Sequence, residues 1–136
     1  MIDIAILGSS IQALECAHTT LDETPSARVT IYTEDAEVGF PEVPVLEELV
    51  LSEAMDSIPS NWYSSIPEGI DWNTPSTSAN SWLSKSMAIR LASRGGRFLL
   101  RTIVLNIDED LQEVSFRGGG VVSSGVESYD ELHDFR

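Results

Sequence analysis

Cations are scarce in this chain. Eight Lys and Arg stand against 22 Asp and Glu, a formal net charge of −14 over 136 residues, and Lys85 is the one lysine. With no basic patch to neutralise phosphates, such a surface repels nucleic acid and anionic membrane, so neither is expected as a partner. Cysteine is nearly missing too. Cys16 stands alone, which excludes an internal disulfide and points to a reducing compartment. Its mid-helix setting suits a small buried hydrophobe better than a nucleophile. His18 and His133 are the two histidines, and without a cysteine cluster they make a poor zinc case, so no metal is expected. No apolar run reaches the roughly 20 residues of a membrane-spanning helix. Asp3 is acidic and a strand follows at once, so the N-terminus is not expected to be a signal peptide. The location these features imply is cytoplasmic. There is no G-x-S-x-G elbow, no Walker loop and no His-centred triad pattern. Acyl or phosphoryl transfer therefore ranks last among the readings, and Ser9 and Ser10 read as turn serines. No lysine follows Gly118 to Gly120 and no helix opens there, so that run reads as a hairpin connection.

What is present suits one domain over residues 1–136 with a core, since 42% of the residues are apolar. Its organising stretch is Asp3 to Asp35. Ile4 to Leu7 form a short continuous apolar run, as in a strand covered on both faces. Gly8, Ser9 and Ser10 break it. Ile11 to Leu21 are helix-compatible, with Leu14, Ala17 and Leu21 on one face. Asp22 to Ser26 carry turn chemistry, Pro25 barring a longer helix. Val29 to Tyr32 read as a second buried strand. Two parallel strands joined by a helix give a right-handed crossover. The helix then starts at the carboxyl end of the first strand, where backbone N–H groups and the helix dipole favour an anion.

This stretch resembles the dinucleotide-binding fingerprint of FAD-dependent oxidoreductases with a glutathione-reductase-type Rossmann domain. Gly8 stands at the first glycine of G-x-G-x-x-G, Ser10 at the second, Ala13 at the third and Ala17 at the downstream alanine. The segment Val29 to Phe40 is similar to the family's second strand and following loop. The ribose-binding acidic position falls on Thr33, with Glu34 one residue later. Ser10 brings a Cβ and a hydroxyl where the family has bare backbone, and the hydroxyl could itself donate to phosphate. Thr33 offers the ribose a weaker contact than a carboxylate. The resemblance implies a three-layer, Rossmann-like α/β fold with a central parallel sheet and a small antiparallel β-meander. It also implies FAD as the cofactor ahead of NAD or NADP, held by Gly8, Ser9, Ser10, Ile11, Thr33 and Glu34.

Asp35 to Pro44 read as a loop, and Val45 to Met55 as a helix whose face is Leu46, Val50, Leu51 and Ala54. Residues 56–79 form an irregular insertion carrying Trp62 and Trp72, expected to pack down on the domain rather than meet a partner. Asn80 to Arg94 read as the second main helix, capped by Ser78 or Asn80, with Trp82, Leu83, Met87 and Leu91 as its core stripe. Gly95 and Gly96 end it. Arg97 to Ile107 read as the strongest strand, Gln112 to Phe116 and Val121 to Val126 as two more, with Arg117 to Gly120 between them as a turn. Ser128 to Phe135 are similar to the family's step into a last Rossmann strand, and Arg136 falls before any A-T-G-like turn. The chain is therefore expected to be incomplete as a flavin catalyst on its own, needing a partner chain or a homo-oligomer to supply the second wall. The alternative is a non-catalytic Rossmann remnant serving dimerisation or protein interaction.

Overall fold

The computed structural model describes residues 1–39, 48–64, 69, 71–118 and 123–136. A four-stranded parallel sheet forms its centre, in the order β3-β2-β1-β7: β1 is Asp3–Leu7, β2 Arg28–Tyr32, β3 Arg97–Leu99 and β7 Glu131–Asp134. β1 pairs in parallel with β2, Asp3 opposite Arg28 through Leu7 opposite Tyr32, and on its other side with β7, Ile4 opposite Glu131. A second, antiparallel sheet runs β4-β5-β6, formed by Thr102–Asp108, Glu113–Gly118 and Ser124–Ser128. The helices are α1 (Ile11–Glu23), α2 (Leu51–Met55) and α3 (Thr77–Ser93), with a single 3-10 turn at Ser60–Trp62.

Alternation along the central strands explains the three layers. Ile4, Ile6, Val29 and Ile31 point to the helix side, where they meet Leu14, Ala17 and Leu21 of α1 and Leu83, Met87 and Leu91 of α3. Ala5, Leu7, Tyr32 and Leu99 point to the other side, against Val114 and Phe116 of the meander. Both faces of β1 and β2 are thus apolar, and this is why their sequence shows a continuous run rather than alternation. Tyr32 also reaches a polar partner: its hydroxyl donates to Glu127 Oε2 at 3.0 Å. Burial and that carboxylate hold the phenol well above its ordinary pKa. Arg97 pairs with the same Glu127, tying β3 to the meander.

Several boundaries differ from the sequence expectation, each for a local reason. The run Arg97 to Ile107 is two strands in two different sheets. The break is Arg101, with φ +48, whose N–H donates to Asp35 O at 2.9 Å; Thr102 N then donates to Thr33 O at 2.8 Å. The chain bends round the end of β2 there. The helix expected from Val45 is observed only from Leu51. Leu49 is instead extended, exchanging two 3.0 Å hydrogen bonds with Ser76; Val45 to Glu47 lie outside the described residues. That same pairing delivers Ser76 as the cap of α3, its Oγ accepting from Ala79 N. Thr77 to Ala79, expected to be irregular, therefore form the first turn. Arg117 and Gly118 extend β5 instead of turning. β6 starts at Ser124; Val121 and Val122, and the loop from Phe40 to Pro44, lie outside the described residues. The expected end of α3 holds: Gly95 has φ +95, and Gly96 N donates to Leu91 O while Gly95 N donates to Ala92 O. This double closure satisfies the last carbonyls.

The insertion divides. Trp62 is buried, while Trp72 is 38% exposed. Among the described residues no helix is long and apolar enough to cross a membrane.

Candidate functional site

The carboxyl ends of β2, β1 and β7 lie side by side, and the turn after β1 sits between them. Gly8 makes that turn with φ +112, its N–H donating to Tyr32 O at 2.8 Å. A Cβ at Gly8 would stand 3.3 Å from the carbonyl group of Phe135. Conformation and crowding both demand glycine. Ser10 then caps α1, its Oγ accepting from Ala13 N at 3.2 Å. By helix geometry the N–H groups of Ile11 and Gln12 have no acceptor within α1. The turn and the dipole together make this end of the helix attractive to negative charge.

Beside the turn lies a closed ring of hydrogen bonds. Ser9 Oγ donates to Asp35 Oδ2 at 2.8 Å and lies 3.0 Å from Thr33 Oγ1. Thr33 Oγ1 accepts from Asp35 N at 3.2 Å. A carboxylate only accepts, so the serine proton goes to Asp35 and the threonine proton to Ser9. The ring locks the end of β2 to the turn after β1. Thr33 is buried, and its hydroxyl is committed to the ring.

An open cleft of about 850 Å³ runs over this region. All six residues expected from the fingerprint line it: Gly8, Ser9, Ser10, Ile11, Thr33 and Glu34. The sequence reading missed other lining residues. Asp35 lies beyond the strand end and is brought in by the ring. Phe135 and Arg136 arrive because β7 pairs with β1. Leu49, Ala54 and Ile58 form an apolar wall, and Thr102 to Val104 close the meander side. The pairing of Asp35 with a turn serine had no local signal, because 26 residues separate the two.

The charged part of the lining is mostly acidic. Glu15, Glu34, Asp35 and Glu48 face one guanidinium, Arg136, among the described lining residues. Partial burial raises the Glu15 pKa. Arg136 is anchored by Asp134, its Nε and Nη2 donating to the carboxylate at 3.0 and 2.9 Å. These bonds lower the Asp134 pKa and raise that of Arg136, to which Glu34 also contributes.

The other candidates lie elsewhere. Cys16 is partly buried against the core; desolvation raises its thiol pKa, which fits packing better than nucleophilic chemistry. His133 is near Glu131, 3.7 Å away, with its side chain 40% exposed. His18 is fully buried where α1 meets α3 and does not line the cleft.

No family model matches the chain, and no curated protein matches it. Solved structures do match in fold. A pyridine nucleotide-disulfide family oxidoreductase from Enterococcus faecalis V583 is 17% identical, aligned over 98% of this chain and 22% of its own, with a TM-score of 0.59. A water-forming NADH oxidase from Lactobacillus brevis, bound to NADH, is 18% identical over 98% of this chain and 24% of its own, with a TM-score of 0.60. A geranylgeranyl bacteriochlorophyll reductase-like protein from Thermoplasma acidophilum is 12% identical over 98% of this chain and 38% of its own, with a TM-score of 0.64. At such identities the likeness is one of architecture: a Rossmann-type FAD/NAD(P)-binding domain. The chain spans under two fifths of the length of these proteins.

Proposed function

We propose that this chain is a dinucleotide-binding domain of the FAD type, incomplete as a catalyst by itself. The observation that carries the reading is the Gly8 turn, which feeds the start of α1 into the floor of an 850 Å³ cleft at the carboxyl ends of parallel strands. The residues fit such a ligand. Ile11 N–H, with the backbone of Ser9 and the Ser10 hydroxyl, would hold the pyrophosphate; that hydroxyl accepts from Ala13 and keeps its own proton to donate. Glu34, helped by the second carboxylate oxygen of Asp35, would take the ribose hydroxyls. Thr33 would act on the ligand only through the ring. A bound flavin would supply hydride chemistry; the cleft residues would bind and orient it. Carboxylates at the ribose end disfavour a 2′-phosphate, so NADP is a weaker candidate than FAD.

The acidic lining opposes the diphosphate, so affinity should rise as salt screens it. The test is an absorbance scan of concentrated protein at flavin wavelengths, with thermal melts in FAD, NAD and NADP. Yellow protein, or a melting point raised most by FAD, is the expected result. No colour and no shift with any of the three would overturn the reading.

A second reading, a non-catalytic module that dimerises or binds a protein, has its own support. The ring and the Ser10 cap already engage the Ser9, Thr33 and Ser10 hydroxyls within the chain, and Trp72, Ile103, Leu105 and Val126 are exposed. Sedimentation that shows concentration-dependent mass, with no dinucleotide bound, would favour it.

A further inference from the structure

The helix pair holds a buried polar cluster that the cleft does not use. His18 of α1 is 0% exposed. Its Nε2 lies 3.0 Å from Met87 O, and its Nδ1 lies 2.9 Å from Arg94 Nη1. A carbonyl oxygen only accepts, so Nε2 carries the proton and Nδ1 is the acceptor for Arg94. Arg94 Nη2 donates to Asp22 Oδ1 at 2.6 Å, and Trp62 Nε1 donates to Asp22 Oδ2 at 2.7 Å. The Trp62 ring stacks on the imidazole, centroids 5.6 Å apart and planes 13° from parallel. One neutral imidazole thus joins α1, α3 and the Ser60–Trp62 turn.

We infer that His18 and Arg94 form a proton-operated clasp: a second proton on the imidazole drives the Arg94 guanidinium off Nδ1 and loosens the end of α3. The cause is simple. Once Nδ1 carries a proton, two donors and two positive charges meet at hydrogen-bond distance. The charged groups facing His18 are Arg94 and Arg90 from α3 and Asp22 from its own helix; the arginines oppose its protonation and Asp22 favours it. The 3-10 turn contributes the uncharged indole, whose face attracts an imidazolium. Trp62 and Asp22 therefore stay, and Arg94 leaves. Arg94 caps α3 through its backbone N–H, immediately before the Gly95–Gly96 closure; its side chain ties that residue to α1, and losing the tie at Nδ1 lets the junction leading into β3 fray. Burial, the largest influence, pushes the imidazole pKa below its ordinary 6.5, placing the event on the acid side of that value.

The test is a pH titration of the intact protein, followed by imidazole NMR, Trp fluorescence and amide exchange at Gly95 and Gly96. One His18 inflection is expected below 6.5, with indole emission quenched through it. Exchange at the two glycines, corrected for intrinsic rate, should accelerate about tenfold per pH unit as the pH falls towards it, as for opening linked to one proton. Arg94→Gln should move the inflection up and Asp22→Asn should move it down. His18→Gln, which keeps one donor and one acceptor, should abolish it; His133→Gln should leave it in place. A His18 imidazole signal titrating at 6.5 or above, a His18-linked inflection of indole emission that survives His18→Gln, no His18 inflection before acid unfolding, or glycine exchange indifferent to pH would each overturn the inference. The unmodified protein alone gives the first, third and fourth readouts if a variant fails to fold.

Discussion

Gly8 is where a single atom matters most. Any side chain there adopts a left-handed backbone and presses on the Phe135 carbonyl group. Gly8→Ala should cost about 1–3 kcal/mol, the range for one strained position, and denaturant unfolding measures it. A loss within experimental error would mean the turn relaxes freely. The residues around it were legible to different degrees. Gly8 was readable as the turn from its place in the fingerprint, whereas the capping of α1 by Ser10 was not anticipated. Asp35 was not readable either, because its role depends on meeting a serine on a different strand end. The buried state of His18 was equally hidden, since its partners Met87 and Arg94 sit 69 and 76 residues away.

Among the elements, α3 is the most instructive. Its cap is Ser76, not the Ser78 or Asn80 expected from the sequence, both of which lie inside the helix. Ser76→Ala should cost about 1 kcal/mol, the usual loss of a side-chain cap, whereas Ser78→Ala should change little; paired melts distinguish them. Equal effects would remove the assignment. The difference arises from the Leu49–Ser76 pairing, a contact no local pattern reveals. The same holds for the split of Arg97 to Ile107. Its two apolar stretches belong to different sheets: Phe98 and Leu99 to the parallel sheet, and Ile103 to Leu105 to the meander, where Ile103 and Leu105 are exposed. Arg101 and Thr102 do interrupt the apolar stretch, but a polar pair alone does not show that the strand changes sheets there. By contrast β1, α1 and β2 were readable nearly to the residue, since each has its own period and its own breaker.

For the whole molecule, charge sets the conditions of stability. A net charge of −14 on 136 residues makes the compact state repel itself. Raising salt from about 0.05 to about 0.5 M should increase the denaturant midpoint, because it shortens the screening length. A midpoint that falls with salt would show that local ion pairs such as Arg28–Asp3 outweigh the repulsion. Acid acts through particular groups as well. His18 is depressed on folding, so its contribution is complete above about 6.5 and is lost as pH falls through the folded value. Burial pulls Asp22 upward, but bonds from Trp62 and Arg94 outweigh it, so its contribution persists lower and is lost below 3.8.

The pairing of β1 with β7 has a consequence in time. Ile4 and Glu131 are neighbours in space yet lie at opposite ends of the sequence, and such distant contacts slow the search for the native state. During synthesis the first strand emerges well before β7 and must wait, one flank bare, until the segment carrying Glu131 has left the ribosome.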